Sequence, residues 1–150
     1  MMKYIRKAEI KDIERIAEIE VFNYRLQFYP IFKEDDFYFK ALTVSRRAAH
    51  YAKELESVWV YDDGVVKGFV QVKEREVKKL FVEPVLQGNG IGAELLDYAI
   101  DQKNVNFLWV LEKNKRAMAF YKRHGFVETN EKKYEEDTTE FLVCMKRHFE

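Results

Sequence analysis

The stretch Leu80-Phe-Val-Glu-Pro-Val-Leu-Gln-Gly-Asn-Gly-Ile-Gly-Ala-Glu-Leu-Leu96 decides the reading of this chain. A β-forming run, Glu76 to Val82, stops at Pro84, and Gly88, Gly90 and Gly92 open an apolar-periodic helix with Ile91, Leu95, Leu96, Ala99 and Ile100 on one side. Glycines at such a junction let consecutive amide hydrogens converge on one anion at the positive end of the helix. Charge-assisted hydrogen bonds contribute about 1.5–3 kcal/mol each, so two or three amides suffice to hold a pyrophosphate without a lysine. Two other readings exist. The glycines can serve a tight turn alone. Gly88-x-Gly90-x-x-Ala93 also matches the dinucleotide fingerprint, with Glu112 placed 24 residues after Gly88. That fingerprint belongs against the first strand of a long βαβ series, whereas a β-meander precedes it here.

Upstream, residues 57–62 and 65–73 read as strands joined at Asp63-Gly64, and residues 76–82 as a third. The step of three from Val77 to Leu80 predicts a β-bulge near Lys78-Lys79. Residues 3–7 form a short strand, and residues 10–28 show helical spacing at Ile13, Ile16, Ala17 and Ile19 that Tyr29-Pro30 breaks. Glu34-Asp35-Asp36 starts a second helical region running to about Leu55, broken near Thr43-Ser45. Downstream, residues 106–112 are a strand. Residues 115–124 are a helix with Ala117, Phe120, Tyr121 and His124 on one face and Gly125 at its end. The remainder reads as two strands joined by an acidic connection. The order is β-α-α-β-β-β-α-β-α-β-β, an α/β mixed sheet in one domain spanning residues 1–150.

Within that frame the chain resembles the GNAT-type N-acetyltransferase superfamily, which moves acetyl groups from acetyl-CoA to amines. Gln87-Gly88-Asn89-Gly90-Ile91-Gly92 matches the family's Q/R-x-x-G-x-G/A signature. Residues 108–126, with Asn114, Ala117, Phe120-Tyr121 and Gly125-Phe126, match its second strand-helix segment. The resemblance implies a mostly antiparallel central sheet of about seven strands, flanked by about four helices, with a splayed parallel pair formed by strands 76–82 and 106–112. Pantetheine would lie between those strands and pair with backbone groups of Leu80, Phe81 and Val82, the Val82 amide polarising the thioester oxygen. Gln87 to Ala93, including Ile91, would grip the diphosphate, and Asn114 would hydrogen-bond the cofactor while capping the following helix.

Tyr121 is the expected general acid toward the departing thiolate, with Phe120 in the core. Deprotonating an amine whose pKa is near 10.4 at pH 7 costs roughly 4–5 kcal/mol, so a base is required. Glu76 is the candidate and Glu74 its rival. Tyr24, Phe28 and Tyr29 are the expected acceptor-binding residues. Glu34 to Asp36 and Glu135 to Asp137 supply acidic groups that either favour a cationic amine or are ordinary solvated charge. The expected activity is therefore acetyl transfer from acetyl-CoA to an amine of a small molecule or a protein. A non-catalytic acyl-CoA sensor is the second reading, and a dinucleotide oxidoreductase the third.

Composition agrees with this class. Of 150 residues, 47% are hydrophobic and 35% charged, which excludes wholesale disorder. Twenty-six basic and 26 acidic residues balance to zero, which argues against a nucleic-acid partner. No apolar run approaches a membrane span, and the first 16 residues are too charged for a signal peptide. A single cysteine, Cys144, excludes an internal disulfide, and a cytoplasmic location is expected. His50, His124 and His148 show no metal-ligand spacing, so no metal is expected. A homodimer is one of the oligomeric states the sequence allows.

Overall fold

The computed structural model describes residues 3–148. Its seven strands form one sheet in the order β1-β2-β3-β4-β5-β7-β6: β1 (Ile5–Lys7), β2 (Val58–Asp62), β3 (Val66–Lys73), β4 (Glu76–Val82), β5 (Phe107–Leu111), β6 (Phe126–Tyr134) and β7 (Phe141–Arg147). The five α-helices are α1 (Ile13–Asn23), α2 (Tyr29–Phe32), α3 (Val44–Ala52), α4 (Ile91–Lys103) and α5 (Lys115–Arg123). The parallel pair is β4 with β5; β1 with β2, β2 with β3, β5 with β7 and β6 with β7 are antiparallel. By contact density the chain divides into two units. The first comprises the residues up to Gln71 together with Lys79–Tyr98, and the second Val72–Lys78 together with the residues from Ala99 onward.

In the first unit, α1 lays Ile16 and Ile19 on Val58, Val60 and Phe69 of the strands and on Tyr51 of α3, all fully buried. A second cluster joins Val21, Tyr38 and Leu42 to Tyr24, Phe28, Tyr29 and Phe32. Arg6 pins the edge of the sheet, donating to Asp12 at 2.8 and 3.0 Å and to Asp62 at 2.9 and 3.1 Å. Gly68 permits α4 to approach: a Cβ there would stand 3.0 Å from the Phe81 carbonyl oxygen and 3.1 Å from Leu95 Cδ1.

The segment after α1 departs from expectation. Tyr24–Phe28 is a π-helical turn, and Tyr29 N–H donates five residues back to Tyr24. Pro30 then sits in the first turn of α2, where its missing N–H costs nothing, and the helix continues to Phe32 before Lys33 ends it in the left-handed region (φ 54°). A second π-helical turn covers Phe37–Ala41, and Thr43 caps α3 by accepting from Arg46 N–H at 3.3 Å, so the expected break does fall near Thr43.

In the second unit, Met118 is the side chain that α5 buries. Phe120, expected in the core, is half-buried, because the amphipathic stripe is centred on Met118 rather than on the aromatic pair. β6 and β7 change register between Glu128 and Lys132, where Thr129 Oγ1 donates to the Cys144 carbonyl at 2.8 Å.

Candidate active site

The glycine segment joins β4 to α4. Pro84–Leu86 form a 3-10 turn, then Gly88 and Gly90 adopt φ of 88° and 87°. Those angles are strained for residues with a Cβ, and a Cβ at either position would meet nothing within 4 Å. The first backbone bond at the head of α4 is donated by Glu94 to Gly90 at 3.1 Å, and no carbonyl among the described residues accepts from the amides of Gly88 to Ala93. Six consecutive donors without a backbone acceptor thus stand at the positive end of a 13-residue helix, with open space beside Gly88 and Gly90.

Gln87 faces inward. Its Nε2 donates to Asn23 Oδ1 at 2.8 Å and to the Val82 carbonyl at 3.3 Å. Asn23 is fully buried, and its Nδ2 donates to the carbonyls of Ile19 (2.8 Å) and Val82 (2.9 Å). One amide side chain thus ties α1, the end of β4 and the glycine segment together. Glu83 N–H donates to the Lys67 carbonyl at 2.9 Å, continuing the β3–β4 ladder. The period of two then directs Val82 N–H and C=O away from β3, along with those of Leu80, while Phe81 turns its ring onto Phe69 and Tyr24.

Lys79 lies at the position where the sequence predicts a bulge. Rather than turning outward, it points toward α1, where its ammonium donates to Glu20 Oε2 at 2.5 Å and to Tyr24 Oη at 2.9 Å. Glu20 has no solvent exposure and also accepts from Arg47 Nε at 2.5 Å and Tyr51 Oη at 2.7 Å. Burial by itself raises the Glu20 carboxyl, but attraction to Lys79 and hydrogen bonds from Arg47 and Lys79 overrule it and hold the group below its ordinary range. The Tyr51 phenol is pushed well above its usual value by burial and by the Glu20 charge, and burial raises that of Tyr24 as well.

Glu20, Asn23, Arg47 and Lys79 are the residues that sequence reasoning missed. The signal for Glu20 was present: it falls on the stripe of Ile13, Ile16 and Ala17, where a carboxylate must be paired.

Of the expected acceptor residues, Tyr24 sits over Phe28 (ring centroids 5.0 Å apart), and Tyr29 Oη donates to Asp35 at 2.5 Å. All three are half-buried, in the aromatic cluster of the two π-helical turns. π-Helical turns recur where side chains are re-aimed for function.

In the second unit, the β4–β5 ladder consists of Glu76 opposite Phe107 and Val77 opposite Leu108. β5 continues its pairing with β7 as far as Leu111. Glu76 is half-buried, its carboxylate 3.8 Å from Lys78, whereas Glu74 is exposed in the β3–β4 turn with φ 56°. Asn114 caps α5, accepting from Ala117 N–H at 3.2 Å. The Tyr121 ring packs edge-on against Phe120 and Phe126, and burial pushes its phenol up to about 12. Its hydroxyl makes no hydrogen bond among the described residues and keeps its proton at neutral pH. Cys144 is buried, and burial raises its thiol. Among the described residues no group of three or more His, Cys, Asp or Glu is placed to hold a metal ion.

Comparison with known proteins assigns the mixed sheet and its glycine segment to a family. The model of the acetyltransferase (GNAT) domain matches residues 54–128. An Archaeoglobus fulgidus protein described as an uncharacterized N-acetyltransferase is 33% identical over 137 residues, 78% of this chain and 88% of that one. The peptidyl-lysine N-acetyltransferase YiaC of Escherichia coli is 36% identical over 81 residues, 53% of this chain and 55% of YiaC. The structure of the PaiA N-acetyltransferase of Thermoplasma acidophilum, solved in complex with coenzyme A, superposes with a TM-score of 0.63 at 20% identity, covering 95% of this chain and 97% of that one. The chain belongs to the GNAT family of acetyl-CoA-dependent N-acetyltransferases.

Proposed function

We propose that this enzyme moves the acetyl group of acetyl-CoA directly onto a primary amine. The single observation that carries the reading is the run of uncommitted amides from Gly88 to Ala93, with open space where Gly88 and Gly90 would carry Cβ atoms. A pyrophosphate matches that donor set in charge and geometry. Backbone groups of Leu80 and Val82 pair with the pantetheine amides, the Val82 N–H stabilising the oxyanion, while Phe81, whose backbone faces β3, contributes its ring. Asn114 hydrogen-bonds the cofactor.

In the reaction, the amine nitrogen attacks the thioester carbon, the carbon–sulfur bond breaks, and Tyr121 donates its proton to the CoA thiolate. Glu76, six residues before Val82 on β4, takes the proton from the amine through intervening water, and its half-buried position favours it over the exposed Glu74. Much of the acceleration comes from holding both reactants in line. Tyr24, Phe28 and Tyr29 line the acceptor site. The name of the Escherichia coli relative specifies a peptidyl-lysine acceptor, which supports an amine carried by a protein or peptide here.

The test is a thermal-shift panel followed by thiol release across a set of amines. Acetyl-CoA, but not NAD, raises the melting temperature, because a ligand that binds only the folded state stabilises it. Release of free CoA then accelerates with at least one amine. Failure of every amine to accelerate release would leave a binding module rather than an enzyme.

A further inference from the structure

The cluster around Glu20 holds more positive charge than negative. Glu20 is the only carboxylate within ion-pair distance of Arg47 or Lys79 among the described residues. Tyr24 and Tyr51 stay neutral because their phenols are raised. His50, one turn along α3, is held below its ordinary value by burial and by Arg47 and adds no anion; its ionic neighbour is Glu54, 3.9 Å away. One buried anion therefore faces two cations.

The layering matters as much as the count. Glu20 is fully buried, while the Lys79 and Arg47 side chains keep 22% and 24% of their exposure. The anion lies beneath and the cations lie at the rim. Donors remain there as well. An ammonium has three N–H groups, and Lys79 uses two, on Glu20 and Tyr24. Tyr24 accepts from Lys79, and its own O–H has no acceptor among the described residues. Arg47 engages Glu20 through Nε and Nη2 and lies beside Tyr51. An excess cation with free N–H and O–H donors, reachable from solvent, is the complement of a carboxylate. Lys79 lies three residues before Val82 on β4, roughly 10 Å along the strand at 3.3 Å per residue.

We infer that Lys79, Tyr24 and Arg47 form a subsite for a carboxylate carried by the acceptor, so that the preferred amine belongs to a molecule that is also an acid. This rests on the N-acetyltransferase reading and makes it narrower. The exposed acids Glu34 to Asp36 would select the opposite charge, but they lie outside this cluster, Asp35 accepting from Tyr29 and Asp36 pairing with Lys40. The carboxylate can come from a free amino acid or from an acidic residue beside a peptide lysine.

The experiment is calorimetric and needs no turnover. Protein saturated with CoA is titrated with 6-aminohexanoate and with its carboxamide, then with the capped dipeptides Lys-Glu-amide and Lys-Gln-amide. In at least one pair the acid binds about 10-fold tighter, equivalent to about 1.4 kcal/mol. A preference confined to the first pair identifies a free amino acid, and one confined to the second identifies an acidic peptide. Lys79→Met leaves Glu20 paired with Arg47 and reduces the preference at least fivefold. Tyr24→Phe, which keeps the ring packing against Phe28 and Phe81, reduces it by a smaller factor. Equal affinity within both pairs, absence of binding in both, or a preference that survives in both variants would overturn the inference. Titrating the same ligands into protein without CoA keeps the outcome separate from any failure of acetyl-CoA to bind.

Discussion

Replacing Glu20 by glutamine removes a charge and almost no volume, so its effect isolates the electrostatics of the buried cluster. Glu20 has zero exposure and accepts from Arg47 Nε and Lys79 Nζ at 2.5 Å, Tyr51 Oη at 2.7 Å and Arg47 Nη2 at 3.3 Å. Its loss leaves two cations facing each other around a neutral amide. Breaking a buried ion pair from one side costs about 3–5 kcal/mol. Lys79 and Arg47 keep 22% and 24% exposure, and water reaching them places the expected loss at the low end, about 3 kcal/mol. For a chain of this size that is a fall in melting temperature of roughly 6–12 °C.

Urea unfolding at pH 7 measures the loss directly, provided the m-value is unchanged. The double variant Glu20→Gln with Lys79→Met should recover about 1 kcal/mol or more, since removing one cation relieves the repulsion. The pH dependence gives an independent check. The folded carboxyl is held below the unfolded value of 4.5, so its contribution is fully present above that pH and is lost as pH falls through the folded value. The difference between wild type and Glu20→Gln should be flat from pH 8 to about 5.5, then shrink below 4.5. A loss under about 1 kcal/mol at pH 7, or a difference constant down to pH 3, would refute the assignment of Glu20 as the paired anion of this cluster.

Three further outcomes follow from the candidate site. Gly90→Val forces a β-branched residue to a φ of 87° and fills the open space above the amides, so acetyl-CoA affinity should fall at least about 10-fold by calorimetry; unchanged affinity would remove the glycine segment from cofactor binding. Tyr121→Phe should lower kcat about 10²-fold or more with acetyl-CoA affinity within about twofold, and equal turnover would remove Tyr121 from the mechanism. Because its phenol sits at about 12, no loss of activity from its deprotonation should occur below pH 10. Glu76→Gln should lower kcat/KM about 10²-fold at pH 7 and less at pH 9, where more of the amine is already neutral; an effect independent of pH would assign the base elsewhere.

Much of this protein was legible from local chemistry. The glycines at 88 and 90 announce left-handed backbone and a donor-lined helix start, because few other residues adopt those angles. The period-two runs gave β2 to β4 within a residue or so, and Asn114 and Gly125 marked the two ends of α5. Each of these signals is written in a window of a few residues.

The Glu20 cluster is of another kind. Its members come from α1, the first π-helical turn, α3 and β4, at separations of up to 59 residues. Read locally, Lys79 is a mismatch in a strand and Glu20 a blemish on an apolar helix face. A buried charge is tolerable only against its partner, and which partner arrives depends on how α1 crosses the sheet and where α3 packs on it. Pro30 shows the same limit on a smaller scale. Its ring forbids an ordinary helix interior, but the preceding turn widens to five-residue bonds, so the chain passes through without a break. Local chemistry set the elements and the glycine segment; long-range packing alone determined which buried charges meet.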